Sequence, residues 1–173
     1  MPPLPVFSPA GEGDIPRIQA LARSIWTEYY PRILSPEQIE YMLERIYGAD
    51  ALRADMRGGA VYELVRVDGS PVGYLAYALE SGGKSLRLDK LYLEAALRGC
   101  GLGRKILERV RDAAVNSGAA EITLRVNKRN ETALAAYRKF GFEVEGPVIE
   151  DIGGGYVMDD FRLRAATSPP IRR

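Results

Sequence analysis

The chain has 173 residues, 46% of them apolar and 27% charged, and its 24 Lys+Arg against 23 Asp+Glu leave a net charge of +1. That size and balance fit a soluble globular domain with its own core, and argue against disorder and against a broad nucleic-acid or membrane surface. With no histidine, Ser-His-Asp and Cys-His nucleophile systems and His-ligated metals are excluded; the single Cys100 excludes an internal disulfide and every CxxC site, and fits a reducing compartment.

The first residues, MPPLPVFSPAGEGD, have neither the basic nor the apolar region of a leader, and no apolar run approaches the ~18–20 residues needed to span a bilayer, so a cytoplasmic protein is expected. Residues 1–165 read as a single domain and 166–173, rich in proline, as a flexible tail. Asp14 and Pro16 open a helix whose apolar positions Ile15, Ile18, Leu21, Ile25 and Trp26 recur at helical spacing and which stops at Tyr30–Pro31. Ser35, Pro36 and Gln38 begin a second helix with a capping-box pattern, running to about Tyr47 with a short continuation over Ala51–Met56.

From Gly59 the period becomes two. AVYELVRV and VGYLAYALE flank an Asp-Gly turn and read as a hairpin. LRLDKLYLE is a further strand, in which Leu86 and Leu88 are followed by Leu91 and Leu93. That one-residue slip near Asp89–Lys90 is what a β-bulge produces, although a strand apolar on both faces gives the same pattern. A helix with Leu102, Ile106, Val110 and Ala114 on one stripe follows, then a strand with Ile122, Leu124 and Val126, then a helix capped by Asn130 and closed by Gly141. FEVEGPVIE and GYVMDDFRL complete the chain as an antiparallel pair. The order predicts an α/β (α+β) fold with a mixed sheet.

The segment RGCGLGRK joins a strand to an amphipathic helix. Unpaired amides at a helix start attract anions, Gly99, Gly101 and Gly103 put no side chains in the way, and Arg98 and Arg104 add positive charge. A phosphate or pyrophosphate site follows. The spacing fits neither GxxxxGK[ST] nor GxGxxG. It does fit [QR]xxGx[GA], through Arg98, Gly101 and Gly103, a short pattern that a tight strand-to-helix turn also satisfies.

About 25 residues further on stands LRVNKRNETALAAYRKFGFEVEG: a strand, Asn130, and a helix carrying Tyr137 and ending in Gly-Phe. With the loop before it, the chain resembles the GNAT superfamily of acetyl-CoA-dependent N-acetyltransferases from about Asp14 to Leu163, most closely over residues 86–142. The resemblance implies a mostly antiparallel sheet of six to seven strands flanked by about four helices, an early strand near residues 4–8, and strands four and five splayed at a bulge. It implies acetyl-CoA as cosubstrate and no metal. The amides of Arg98, Gly99, Cys100, Gly101, Leu102, Gly103 and Arg104 would hold the pyrophosphate, and the backbone of Leu91 and Leu93 the pantetheine arm. An amide near Leu93 would serve the thioester carbonyl, and Asn130 would bond the pantetheine or its neighbourhood.

Tyr137 matches the family's general acid; a phenol with pKa ~10 stays protonated at neutral pH and suits a departing thiolate, though the residue also fits an apolar stripe with a wet tip. Histone-type members carry a glutamate early in the fourth strand, where this chain has Arg87; Asp89 resembles the acidic residue of spermidine/spermine-type acetyltransferases, one methylene shorter, and that resemblance makes it the first candidate for the base. Its plainer reading is an ion-pair partner of Arg87 or Lys90; Glu28 and Asp159 are further candidates. Trp26, Glu28, Tyr29, Tyr30, Tyr156, Asp159 and Asp160 supply aromatic and acidic groups to the expected acceptor pocket, which suits a cationic amine. A small polyamine-like acceptor is one expectation, a protein N-terminus or lysine the second, and an inactive CoA-binding module the third. No nucleic-acid or membrane partner is expected, and a homodimer is left open.

Overall fold

A computed structural model describes residues 4–168. In chain order the elements are β1 (Val6–Ala10), α1 (Ile15–Tyr29), α2 (Pro36–Tyr47), α3 (Ala49–Arg57), β2 (Val61–Val67), β3 (Ser70–Leu79), β4 (Ser85–Leu93), α4 (Leu102–Asn116), β5 (Glu121–Asn127), α5 (Glu131–Phe140), β6 (Glu143–Gly153) and β7 (Tyr156–Ala166). The strands form one sheet in the order β1-β2-β3-β4-β5-β7-β6. Within it β1/β2, β5/β7 and β6/β7 are antiparallel and β4/β5 is parallel. This is the mixed, mostly antiparallel α/β architecture expected from the sequence. By contacts the chain divides into two compact units, Met1–Ala76 with Lys90–Lys105 and Tyr77–Asp89 with Ile106–Arg173.

In the first unit, α1 buries the stripe expected of it: Ile15, Ile18, Leu21, Ile25 and Trp26 are each 7% exposed or less. Ser35 caps α2, its hydroxyl accepting from the Gln38 amide at 3.2 Å. Asp14 does not cap α1 through its side chain; a 3-10 turn precedes the helix and the carboxylate accepts from the Gly11 amide instead. The Asp68–Gly69 turn has both φ angles positive, 50° and 79°, the geometry that matches the twist of a two-residue hairpin.

In the second unit, Ile106, Val110 and Ala114 of α4 are fully buried, with Ile122, Leu124 and Val126 of β5 and Leu134 of α5. The end of the chain departs from expectation. Ala166 belongs to β7, and Thr167 is buried, its amide bonded to the Ala120 carbonyl and its hydroxyl to that of Ala119, both at 3.0 Å. The expected flexible tail therefore does not include 166 and 167; its last part, 169–173, lies with residues 1–3 outside the described residues.

β4 carries the irregularity read from the sequence. The Glu80 amide bonds Ser85 O at 2.9 Å, and the Glu94 amide bonds Val72 O at 2.9 Å. Ser85 to Glu94 is nine steps while Glu80 back to Val72 is eight, so β4 holds one residue more than the stretch of β3 it faces: a bulge. Its place is later than hydropathy suggests. Leu86, Leu88 and Lys90 share the buried phase, and the slip falls at Leu91–Tyr92 before Leu93 is buried again. A lysine at the inward position hid the continuing alternation.

Candidate active site

The loop after β4 passes through a 3-10 turn, Ala95–Leu97, before α4 begins at Leu102. Gly99 and Gly101 adopt φ of 77° and 88°, a region costly for any residue with a Cβ. The reason for two of the three glycines is thus backbone conformation. No atom lies within 4 Å of the position a Cβ would take at Gly99, Gly101 or Gly103, so the main chain there is open to an incoming group. The first amides of α4 have no partner inside their own helix and carry its positive dipole end. No acidic residue stands between 95 and 104, so the charge of the loop does not oppose an anion at the start of α4.

Arg98 and Cys100 of this loop are bonded to neighbouring groups of the chain. Arg98 Nε donates to Leu93 O at 3.1 Å, its Nη1 to Glu28 Oε2 at 2.7 Å, and its guanidinium lies 4.9 Å from the centre of the Tyr29 ring. Cys100 Sγ donates to the Leu97 carbonyl at 2.9 Å. Glu28, named above as a candidate base, is an ion-pair partner of both Arg98 and Arg32, the latter at 3.6 Å.

On β4, Asp89 is outward with Arg87. Both its oxygens accept from that guanidinium, at 2.5 and 3.1 Å, which is the plainer of the two readings the sequence allows. Lys90 points the other way and is 8% exposed; its Nζ lies 3.2 Å from Asp55 Oδ2 and over the rings of Tyr62 and Tyr47 at 5.2 and 5.8 Å. Asp55 also accepts from the Tyr62 hydroxyl at 2.7 Å, so the buried ammonium meets a carboxylate and two ring faces. Leu91 is half-buried and Leu93 buried.

Trp26 and Tyr30 belong to the core of the first unit. They pack at 4.6 Å, and Trp26 meets Tyr47 and Tyr92 at 5.6 and 5.7 Å. Tyr74 completes the cluster, its hydroxyl donating to Tyr47 at 2.7 Å. Burial drives the phenols of Tyr47 and Tyr74 well above the usual tyrosine range. The sequence reading missed Tyr47, Tyr74 and Tyr92. Their only signal is the helical and strand phase that sets them beside apolar neighbours.

In the second unit, Asn130 caps α5 and is buried, its Oδ1 accepting from the Ala133 amide at 3.2 Å. Tyr137, about two turns on, is half-buried with its ring edge-on to Phe142 at 5.6 Å. On β7, Asp159 pairs with Lys128. Asp160 is 3% exposed, 3.5 Å from Arg125, and opposite Asn127 in the β5–β7 ladder. Burial raises its pKa; Arg125 opposes that rise without cancelling it. Among the described residues no cluster of His, Cys, Asp and Glu fits a metal ion, and no helix is long and apolar enough to cross a membrane.

Residues 16–142 match the acetyltransferase (GNAT) family. The peptidyl-lysine N-acetyltransferase YjaB of Escherichia coli (strain K12) is 33% identical over 110 residues, 63% of this chain and 67% of its own length. The thialysine N-epsilon-acetyltransferase of Bos taurus is 26% identical over 172 residues, 84% of this chain and 95% of its own. Among solved structures, PaiA N-acetyltransferase from Thermoplasma acidophilum in complex with coenzyme A superposes with a TM-score of 0.78 at 21% identity, covering 94% of this chain and 99% of that one.

Proposed function

The chain belongs to the acetyltransferase (GNAT) family and is an acetyl-CoA-dependent N-acetyltransferase, and from that premise we propose how its residues divide the work. The observation that carries the reading is the main chain at Gly99, Gly101 and Gly103, open where a Cβ would stand, with φ values at Gly99 and Gly101 that side chains resist, leading into the first amides of α4. Those amides hold the pyrophosphate. Acetyl-CoA, when bound, supplies a thioester whose carbonyl carbon accepts an amine. The main-chain groups of Leu91 and Leu93 pair with the pantetheine arm, and the amide near Leu93 donates to the carbonyl oxygen as negative charge grows there. Asn130, whose Oδ1 accepts from the Ala133 amide at the start of α5, lies beside the pantetheine on this reading.

Tyr137 protonates the departing thiolate. Asp89 receives the proton of the attacking amine, which requires its double hydrogen bond with Arg87 to open. Transfer is direct, without an acetyl-enzyme, because the thiol of Cys100 is turned into the pyrophosphate loop onto the Leu97 carbonyl.

The acceptor is a primary amine, and a lysine side chain is favoured over a polyamine. The carboxylates that suggested a polycation are each engaged: Glu28 by Arg98 and Arg32, Asp159 by Lys128, Asp160 by Arg125. Trp26 and Tyr30 are core residues, 3% and 8% exposed. The names of the E. coli and Bos taurus relatives, peptidyl-lysine and thialysine acetyltransferases, agree with that preference. A thiol-release assay with acetyl-CoA over a lysine peptide, a peptide with a free N-terminus and spermidine tests it. Turnover is expected with the lysine peptide. Turnover with spermidine alone overturns the acceptor reading, and acetyl-CoA binding without release under any amine would leave a CoA-binding module.

A further inference from the structure

We infer that the Arg98 side chain is a positioning latch, which orders the pyrophosphate loop by tying it to β4 and α1, and that its guanidinium is not a phosphate ligand. The inference rests on the reading of Arg98–Arg104 as the pyrophosphate site. The guanidinium is a planar fork of five donors, suited to holding several acceptors at fixed angles. Here Nε is bonded to the carbonyl of Leu93, the last residue of β4, at 3.1 Å, and Nη1 to Glu28 of α1 at 2.7 Å, with the Tyr29 ring against the face of the group. The Nε bond closes a ring over residues 93–98, within which the Arg98 amide bonds Ala95 O at 3.2 Å.

Two consequences follow. The positive charge of Arg98 is matched by Glu28, so an anion at the loop meets amides rather than this side chain. A loop with two left-handed glycines also has much conformational freedom to lose on binding, and a latch made beforehand lowers that cost. The sequence pattern, in which an arginine precedes the glycines, then has its reason in loop order.

Glu28 separates the latch from simple electrostatics. Removing a carboxylate near an anion site should strengthen anion binding if charge alone matters. If Glu28 anchors the latch, its loss should weaken binding. Acetyl-CoA is titrated calorimetrically into wild type, Glu28→Gln, Arg98→Gln, Arg98→Lys and the Glu28→Gln/Arg98→Gln pair. We expect about a tenfold rise in Kd for each single Gln variant, the scale of one lost charge-assisted bond, and a double variant no weaker than either single. Arg98→Lys should not restore affinity, since a point charge cannot serve Leu93 and Glu28 at once.

Glu28→Gln binding as tightly as wild type or more so, or Arg98→Lys restoring affinity, overturns the latch and makes Arg98 a phosphate ligand. If wild type does not bind acetyl-CoA, the function proposed above fails, and the latch is decided by thermal unfolding of the same variants. Shifts in Tm that fall short of additive support the Glu28–Arg98 tie; additive shifts remove it.

Discussion

Replacing Tyr137 by Phe removes one hydroxyl from a ring that keeps its edge-on contact with Phe142, and the loss should fall on kcat. A drop of ~10²-fold is expected if the phenol delivers a proton to the thiolate. An unaltered kcat in steady-state assays takes Tyr137 out of the scheme. Asp89→Asn should lower kcat/KM by ~10²-fold if this carboxylate takes the amine proton; an unchanged kcat/KM removes Asp89 as the base. The loop glycines Gly99 and Gly101 and the cap Asn130 were legible because a strand-to-helix turn and a helix start dictate the residue type through backbone geometry. The partners of the charged groups were not. Glu28, Asp159 and Asp160 read as an acidic lining because sequence gives their sign, whereas Arg98, Lys128 and Arg125 reach them only through the fold.

At the scale of elements, the amphipathic helices were readable in full, since Ile15 to Trp26 on α1 and Leu102 to Ala114 on α4 repeat at the spacing that buries one face. The bulge of β4 was readable as an event but displaced in position, because Lys90 occupies an inward site that hydropathy assigns outward. Gly73, which drew no attention in the sequence, explains how β3 tolerates that bulge. A Cβ on Gly73 would lie 2.3 Å from Tyr92 O and 2.8 Å from the Leu93 Cδ2 atom, contacts no real side chain makes. Gly73→Ala should therefore push back β4 at Tyr92–Leu93, where the thioester amide is proposed. Overpacking of this kind costs about 1–3 kcal/mol, and the damage should appear as a lowered Tm together with a raised Kd for acetyl-CoA. Wild-type affinity in a folded Gly73→Ala protein would show that the approach of the two strands there is irrelevant to the site.

For the molecule as a whole, buried titratable groups in the two units set where stability declines with pH. Asp160, in the second unit, holds its proton more firmly than an exposed aspartate, whose ordinary value is 3.8, because burial penalises the carboxylate more than Arg125 relieves it. A carboxyl raised on folding stabilises the protein while protonated and loses that advantage as pH climbs from 3.8 through its folded value. The phenols of Tyr47 and Tyr74, in the first unit, follow the same logic at the alkaline end. Desolvation keeps both protonated in the folded chain after unfolded tyrosine has begun to ionise near pH 10, so stability falls again above that point. The two declines are separable. Asp160→Asn keeps the shape of the side chain and removes the titrating group, so its Tm advantage over wild type should be absent near pH 3 and grow through the acid range. At pH 7 it should reach about 2–4 °C for each kcal/mol of burial penalty relieved. The alkaline decline should be untouched in that variant. A wild-type Tm that stays above that of Asp160→Asn from pH 3 to pH 7 would mean that the pairing with Arg125 outweighs burial, reversing the direction assigned to this carboxyl.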